Sequence, residues 1–270
     1  MVSNDQRRRQ LAREKFLRQQ QRRESARRRA RTRNTVIASA LAVVVVAGAG
    51  AFAAGAFDGK DKKDSAASKP SASPSKAADP CEKPAAGKVK PLSWKKEPAL
   101  TIDKSAGYTM NLATTCGDIG IGLKAKEAPH TVNSFDFLAG KGFFDHTKCH
   151  RLTTNGIYVL QCGDPKGTGA GGPGYTIPDE NLKDKSLKGN VYPAGTIAMA
   201  NTGQKHTGGS QFFLVYQDSQ LPPSYTPFGT ISDSGMKVLK KIAAAGESTG
   251  QGDGAPNATV VIDKATVKKS

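Results

Sequence analysis

Twelve arginines crowd into the first 33 residues, and only one lies beyond them: Arg151, in Cys149-His150-Arg151-Leu152. A guanidinium is always charged and carries its N–H donors in a rigid fork, so a lone one is a candidate for gripping a ligand from a fixed position. The structural alternative is an ion pair. Downstream lie two polar and aromatic runs, Leu160-Gln161-Cys162-Gly163-Asp164 and Gly208-Gly209-Ser210-Gln211-Phe212-Phe213. Three other chemistries can be imagined and set aside. His146, Cys149 and His150 are zinc-type ligands, but no cluster supplies a fourth, and neighbours on a strand point to opposite faces. Gly167-x-Gly169-x-x-Gly172 fits a dinucleotide fingerprint in form only, because Pro173 and a β-like Tyr175-Thr176-Ile177 follow where a helix should start; it reads as a turn. Ser210 lacks the Gly-x-Ser-x-Gly elbow of a hydrolase and no ordered Asp accompanies it, which leaves His206 as a loop residue. No metal and no cofactor are expected.

His150-Arg151, Gln161-x-Gly163-Asp164, a glycine-rich stretch, Met199-Ala200-Asn201, Gly209-Ser210-Gln211-Phe212-Phe213 and Phe228-Gly229 follow one another in an order that resembles the signature of cyclophilin-type peptidyl-prolyl isomerases, over roughly residues 105 to 268. The resemblance implies catalysis of rotation about X-Pro bonds, whose barrier of about 18 to 20 kcal/mol comes from amide resonance. No nucleophile is needed, only a group that favours the twisted amide over the planar one. By this resemblance Arg151 would hold the prolyl carbonyl and donate toward the nitrogen as it loses conjugation, with Gln161 beside it. Phe213 and Leu221 would line an apolar proline slot, with Ile157 standing where the family usually has Phe. Asn201 and Gln211, with Gln161, would bond the peptide backbone, and Ala200 would line the groove. Gln220 and Tyr225 occupy rim positions where many relatives have Trp and His. Against these roles, Phe213 could be ordinary barrel core and Gln161 could satisfy a strand edge. Between His150-Arg151 and Gln161 the chain carries two residues more than the familiar cytosolic pattern, so the pocket's usual Met matches neither Tyr158 nor Val159 unambiguously. With Gln220 in place of the indole, cyclosporin is expected to bind weakly.

These residues need strands to position them. Tyr108–Leu112 and Ile119–Leu123 have β character; Thr131–Leu138 places Val132, Phe135 and Leu138 on one helical face, with Thr131 as N-cap. Tyr158–Leu160, Thr196–Ala200, Phe212–Tyr216, Thr226–Ile231 and Thr259–Val267 are further strands, and Met236–Ala245 is a second helix. The fold class is mainly β; the resemblance implies a closed eight-stranded antiparallel barrel capped by two helices, in a monomeric catalytic domain over residues 101–270.

The rest of the chain is of another kind. Residues 1–34 hold 13 Lys or Arg against 3 Asp or Glu, a net of +10 out of the +17 of the whole chain. Residues 35–57 carry no charge, and as a helix their 23 residues reach roughly 34 Å, enough to cross a hydrocarbon core of about 30 Å. The basic tail would keep the N-terminus cytoplasmic and place the rest outside. A cleaved signal peptide is the competing reading, disfavoured by the length of the basic and apolar regions. Beside such a span, the tail's arginines are explained by topology and anionic lipid, not nucleic acid. Residues 58–100, rich in Lys, Ser, Ala and Pro, read as a flexible linker. Cys81, Cys116, Cys149 and Cys162 all follow the span, where disulfides persist. Four cysteines allow three patterns; Cys149 with Cys162 across a hairpin, and Cys81 with Cys116 tying linker to barrel, is one of them. The expectation is a membrane-tethered, outward-facing prolyl isomerase serving secreted or envelope polypeptides. A proline-peptide binding module and a structural envelope protein are the alternatives.

Overall fold

The computed structural model describes residues 78–270. The basic tail, the apolar segment and residues 58–77 of the expected linker lie outside them. No helix among the described residues is long and apolar enough to cross a membrane.

Twelve strands and two helices follow one another among the described residues: β1 Tyr108–Thr114, β2 Gly117–Leu123, α1 Pro129–Gly140, β3 Thr147–Lys148, β4 Arg151–Thr153, β5 Val159–Cys162, β6 Val191–Tyr192, β7 Thr196–Met199, β8 Phe212–Val215, β9 Ser219–Gln220, β10 Pro227–Ile231, α2 Asp233–Ala244, β11 Asp253–Gly254 and β12 Val261–Lys269. Ten of the strands form one antiparallel sheet in the order β11-β4-β5-β8-β7-β10-β2-β1-β12-β3, and β6 and β9 form a separate ribbon. The expected closed eight-stranded barrel is therefore corrected: no ladder joins β11 to β3, and these remain the edges of the sheet. The extra strands are two residues long, too short for any alternation to show in sequence. Between the β3 edge and β4 the chain crosses through Cys149, whose N–H donates to Val260 (3.0 Å), and His150, whose N–H donates to Gln161 (3.1 Å).

Strand periodicity divides the interior in two. Phe212 and Leu214 of β8 enter the main core with Leu152, Leu160 and Ile197, whereas Phe213 and Val215 turn to the opposite face and join Val159, Tyr192 and Ala198. Successive side chains alternate across a pleated strand, so one register choice sends the two neighbouring phenylalanines to different sides. The main core is centred on Phe135 of α1, whose ring lies 5.3 Å from Phe144, 5.6 Å from Phe212 and 4.6 Å from Phe228.

Helix α1 begins earlier than expected. Its N-cap position is Ala128, with Pro129 opening the first turn, and not Thr131. The free N–H groups are satisfied from outside the helix by Glu180, whose carboxylate accepts from the backbone of His130 (3.0 Å) and Thr131 (2.9 Å) and from the Thr131 hydroxyl (2.8 Å). An acidic group there also meets the positive end of the helix dipole. Helix α2 is capped locally: the Ser232 hydroxyl accepts from Gly235 N–H.

The linker expectation is also corrected at its C-terminal end. Residues 78–100 run along the domain as an irregular strap. Cys81 is bonded to Cys116, Glu82 N–H donates to Thr115 (2.8 Å), and Trp94 N–H donates to Pro173 (2.8 Å). The Trp94 ring meets Phe137 edge-on at 5.0 Å and Phe143 at 6.0 Å. One indole, one disulfide and a few backbone bonds hold a sequence whose composition alone promises no order.

Candidate active site

Arg151 is placed in a row that crosses four strands. In the pairing of β4 with β5 it stands opposite Gln161, Gln161 stands opposite Phe213 of β8, and Phe213 opposite Ala198 of β7. Directly paired residues share a face, so this row sets a guanidinium, an amide and an aromatic ring side by side on the face away from the main core. Val159, two residues before Gln161, shares that face. Leu221, Tyr225 and Ile157 join from the adjoining loops, and together with Ala200 and Asn201 these residues line a slot of about 110 Å3. The Phe213 ring is held edge-on by Tyr225 at 5.3 Å and Tyr192 at 6.3 Å. Tyr192 in turn donates to the Tyr225 carbonyl (2.7 Å), which ties the rim loop to the wall.

A chain of hydrogen bonds fixes the polar side. Arg151 Nε and Nη2 donate to the two oxygens of Asp253, both at 2.8 Å, and Nη1 donates to Gln161 Oε1 at 3.2 Å. Gln161 Nε2 passes the chain to Gln211 Oε1 (2.9 Å), and Gln211 Nε2 ends it on the Gly171 carbonyl (2.9 Å). Three of the five guanidinium N–H groups are thereby engaged, leaving one on each terminal nitrogen for a ligand. The Asp253 hydrogen bond raises the Arg151 pKa against the opposing effect of burial, and the same bond holds the Asp253 carboxyl below the usual carboxylate range. Beside Arg151, His150 has both ring nitrogens buried without a hydrogen-bond partner. Burial lowers its pKa, with Asp164 opposing and Arg151 reinforcing.

The Gly-x-Gly-x-x-Gly stretch is a turn around a carboxylate. Asp164 accepts from the N–H groups of Lys166 (2.7 Å), Thr168 (2.8 Å) and Gly169 (2.7 Å), so those donors face an internal anion and not a phosphate. Burial would raise the Asp164 pKa, but hydrogen bonds from the backbone of Lys166, Gly171 and Thr168 and from the Thr168 hydroxyl outweigh it and lower it to about 2. Gly163 has φ of 88° and stands where a Cβ would lie 2.2 Å from the Ser210 carbonyl, a fit only glycine allows. Ser210 is buried and donates to the Gly163 carbonyl (2.7 Å), a structural role. Cys149 is disulfide-bonded to Cys162 and so is no thiolate ligand.

The slot thus gathers Arg151, Gln161, Ile157, Ala200, Asn201, Phe213, Leu221 and Tyr225, while Gln211 lies beyond Gln161 in the polar chain. Asn201 also binds the loop, donating to the Ser224 carbonyl at 2.8 Å. Gln220 is not part of the lining: it is exposed on β9, paired with Val191. The ambiguity over the inserted residues resolves in favour of Val159, since Tyr158 packs on Tyr216 at 5.9 Å. The β4–β5 connection takes up the insertion with Gly156 at φ 75°. Sequence reasoning missed Asp253 and Tyr192. Asp253 sits in Gly252-Asp253-Gly254, 102 residues from Arg151, with nothing local to mark it.

Residues 109–267 match the family model described as cyclophilin type peptidyl-prolyl cis-trans isomerase/CLD. The chain is 51% identical over 196 residues to a "Probable peptidyl-prolyl cis-trans isomerase B" of Mycobacterium leprae, covering 70% of this chain and 62% of that protein. It is 46% identical over 198 residues to the protein of the same name in Mycobacterium tuberculosis, covering 70% and 60%. The aligned stretch thus spans less than two-thirds of either relative's own length. A crystal structure of a Cryptosporidium parvum cyclophilin type isomerase superposes with a TM-score of 0.51 at 26% identity, covering 61% of this chain and 99% of that one. A crystal structure of that Cryptosporidium parvum isomerase in the presence of the dipeptide Ala-Pro gives a TM-score of 0.50 at 27% identity, covering 60% and 99%. With the ordered motifs, the mainly β fold and the arginine at an apolar slot all in agreement with the family match, the chain belongs to the cyclophilin-type peptidyl-prolyl cis-trans isomerases.

Proposed function

We propose that this protein accelerates cis-trans rotation of X-Pro bonds in polypeptides outside the cytoplasmic membrane, to which its N-terminus tethers it. The observation that carries the catalytic reading is the fixed Arg151 guanidinium, with two donors unengaged, at the edge of an apolar slot walled by Phe213, Val159, Leu221 and Ile157. The proline ring enters the slot; the guanidinium grips the prolyl carbonyl and donates toward the nitrogen as that atom becomes pyramidal. The interaction is stronger in the twisted state than in the planar one, which is what lowers a barrier, and each tenfold in rate takes only about 1.4 kcal/mol of such preference. Gln161 orients the arginine, and the amides of Asn201 and Gln211 are placed to meet the peptide backbone. No step calls for a cofactor.

Three features support the location. The Arg-rich residues 1–34 precede an uncharged stretch of 23 residues. Both cysteine pairs, Cys81–Cys116 and Cys149–Cys162, are closed, which suits a compartment where disulfides persist. The strap then carries the domain as a monomer off the end of residues 58–77, and its clients are secreted or envelope chains.

The test is a prolyl isomerisation assay on short X-Pro peptides with the full chain. The wild type should turn over, and Arg151→Ala should lower kcat/KM at least about a hundredfold, roughly 2.7 kcal/mol, with the circular dichroism spectrum retained. A folded and fully active variant would reject the mechanism. Peptide binding without turnover in the wild type would point to a binding module.

A further inference from the structure

Beside the slot, and sharing Gln161, Ala200 and Asn201 with it, lies a larger cavity of about 940 Å3. Part of its lining comes from the strap: Lys95, Lys96 and Glu97. Lys166, from the loop that Asp164 organises, adds another cation. The strap is fixed there by the Trp94 backbone bond to Pro173 and by the indole packed on Phe137 and Phe143. It lies outside residues 109–267, the span of the family match, so this wall is an addition to the isomerase domain. The lone acidic residue of the lining, Glu97, stands 3.3 Å from His130. By contrast the three lysines are exposed, and none of their ammonium groups has an ion-pair or hydrogen-bond partner among the described residues. Unpaired ammonium groups around a cavity that shares Gln161, Ala200 and Asn201 with the slot make a positive field beside it.

We propose that this strap-walled cavity is a subsite for acidic side chains of the polypeptide flanking the target proline, so that the strap selects clients with Asp or Glu within a few residues of the X-Pro bond. The inference rests on the isomerase reading and goes beyond it, because two of the three selecting lysines, Lys95 and Lys96, lie on a segment outside the span of the family match. An extended peptide advances about 3.3 Å per residue, so a side chain a few positions from the proline falls within the cavity. Exposed lysine pairs are individually weak, about 1.5- to 5-fold each, and are screened by salt. Two or three acting on one carboxylate or on neighbouring carboxylates give a preference of about three- to tenfold, expressed in KM.

The experiment uses the full chain in non-ionic detergent and peptides that differ only in carrying Glu or Gln at one position, scanned on both sides of the proline. At one or more positions the Glu peptide should show the higher kcat/KM by about three- to tenfold in low salt, and the ratio should approach one at about 0.5 M sodium chloride. The same collapse is expected for the combined Lys95→Gln, Lys96→Gln and Lys166→Gln variant, read as a ratio so that any general loss of activity cancels. A ratio near one at every position, or a preference that survives the triple substitution, overturns the proposal. Should no peptide be turned over at all, the isomerase reading falls separately, and fluorescence anisotropy of the same peptides then decides the subsite by the same ratio.

Discussion

The residue on which the site turns is Arg151, and what matters is how little freedom its neighbours leave it. A free arginine side chain carries about 2 kcal/mol of rotamer entropy, which a ligand would otherwise have to overcome on binding. Asp253 removes much of it in advance through two parallel bonds of 2.8 Å. Substituting Asp253→Asn keeps the shape and loses the charge and one acceptor; kcat/KM should fall about three- to tenfold, with little change in melting temperature because the pair is largely exposed. A stopped-flow assay beside a thermal melt checks both. The pH profile follows from the same pair. A folded-state pKa held below the usual carboxylate value keeps the contact intact above about pH 4 and loses it only as pH falls through the depressed value. Histidine is absent from the slot lining, and burial lowers the pKa of the adjoining His150 from the ordinary imidazole value. The rate constant should therefore be flat from about pH 5 to 8; a bell centred near 6.5 would contradict this assignment. The rim residue Gln220 sets a different expectation. It is exposed on β9 immediately before Leu221, which does line the slot. Relative to an indole there, losing ~60 Å2 of burial at about 25 cal/mol per Å2 removes roughly 1.5 kcal/mol, or about tenfold, from cyclosporin affinity. Calorimetric titration should find weak binding and a gain for Gln220→Trp; tight wild-type binding would show that the position is misassigned.

Among the elements, the strap has the largest consequence for handling the protein. Its disulfide closes a loop between residues 35 apart, worth about 3 to 4 kcal/mol in the chain-entropy account. A chain beginning at residue 101 loses that constraint and the Trp94 packing together. Its melting temperature should lie about 10 °C or more below that of a chain beginning at 78, under non-reducing conditions. Calorimetric transitions within about 2 °C of each other would mean that the strap merely rests on the surface. The β4–β5 hairpin shows the opposite economy. The other disulfide, Cys149–Cys162, brackets Arg151 and Gln161 closely in sequence, so the polar side chains of the candidate site and a covalent constraint share one short element.

For the whole molecule the question is where the domain works. The strong positive bias of residues 1–34 predicts that the N-terminus stays inside and the domain outside. Protease added to intact cells stripped of their wall should remove the domain, and fractionation should recover it with membranes. Release of a shortened soluble form in quantity would favour cleavage after the apolar stretch instead.

The amino-acid sequence by itself carried the order of motifs around Arg151, Gln161, Asn201, Gln211 and Phe213, and most of the longer strands, because each depends on residue type or on a period of two within one segment. Helix α1 was visible through Val132, Phe135 and Leu138, but its start was not, since Glu180 caps it from 49 or more residues away. Tertiary structure alone decided that Val159 rather than Tyr158 lines the slot. It also decided that Asp253 holds Arg151. These outcomes depend on strand register and on contacts between segments far apart in the chain, which no local pattern encodes. The same holds for the strap: residues 78–100 have the composition of a linker, and they become a wall only because Cys116, Pro173, Phe137 and Phe143 are where the fold puts them.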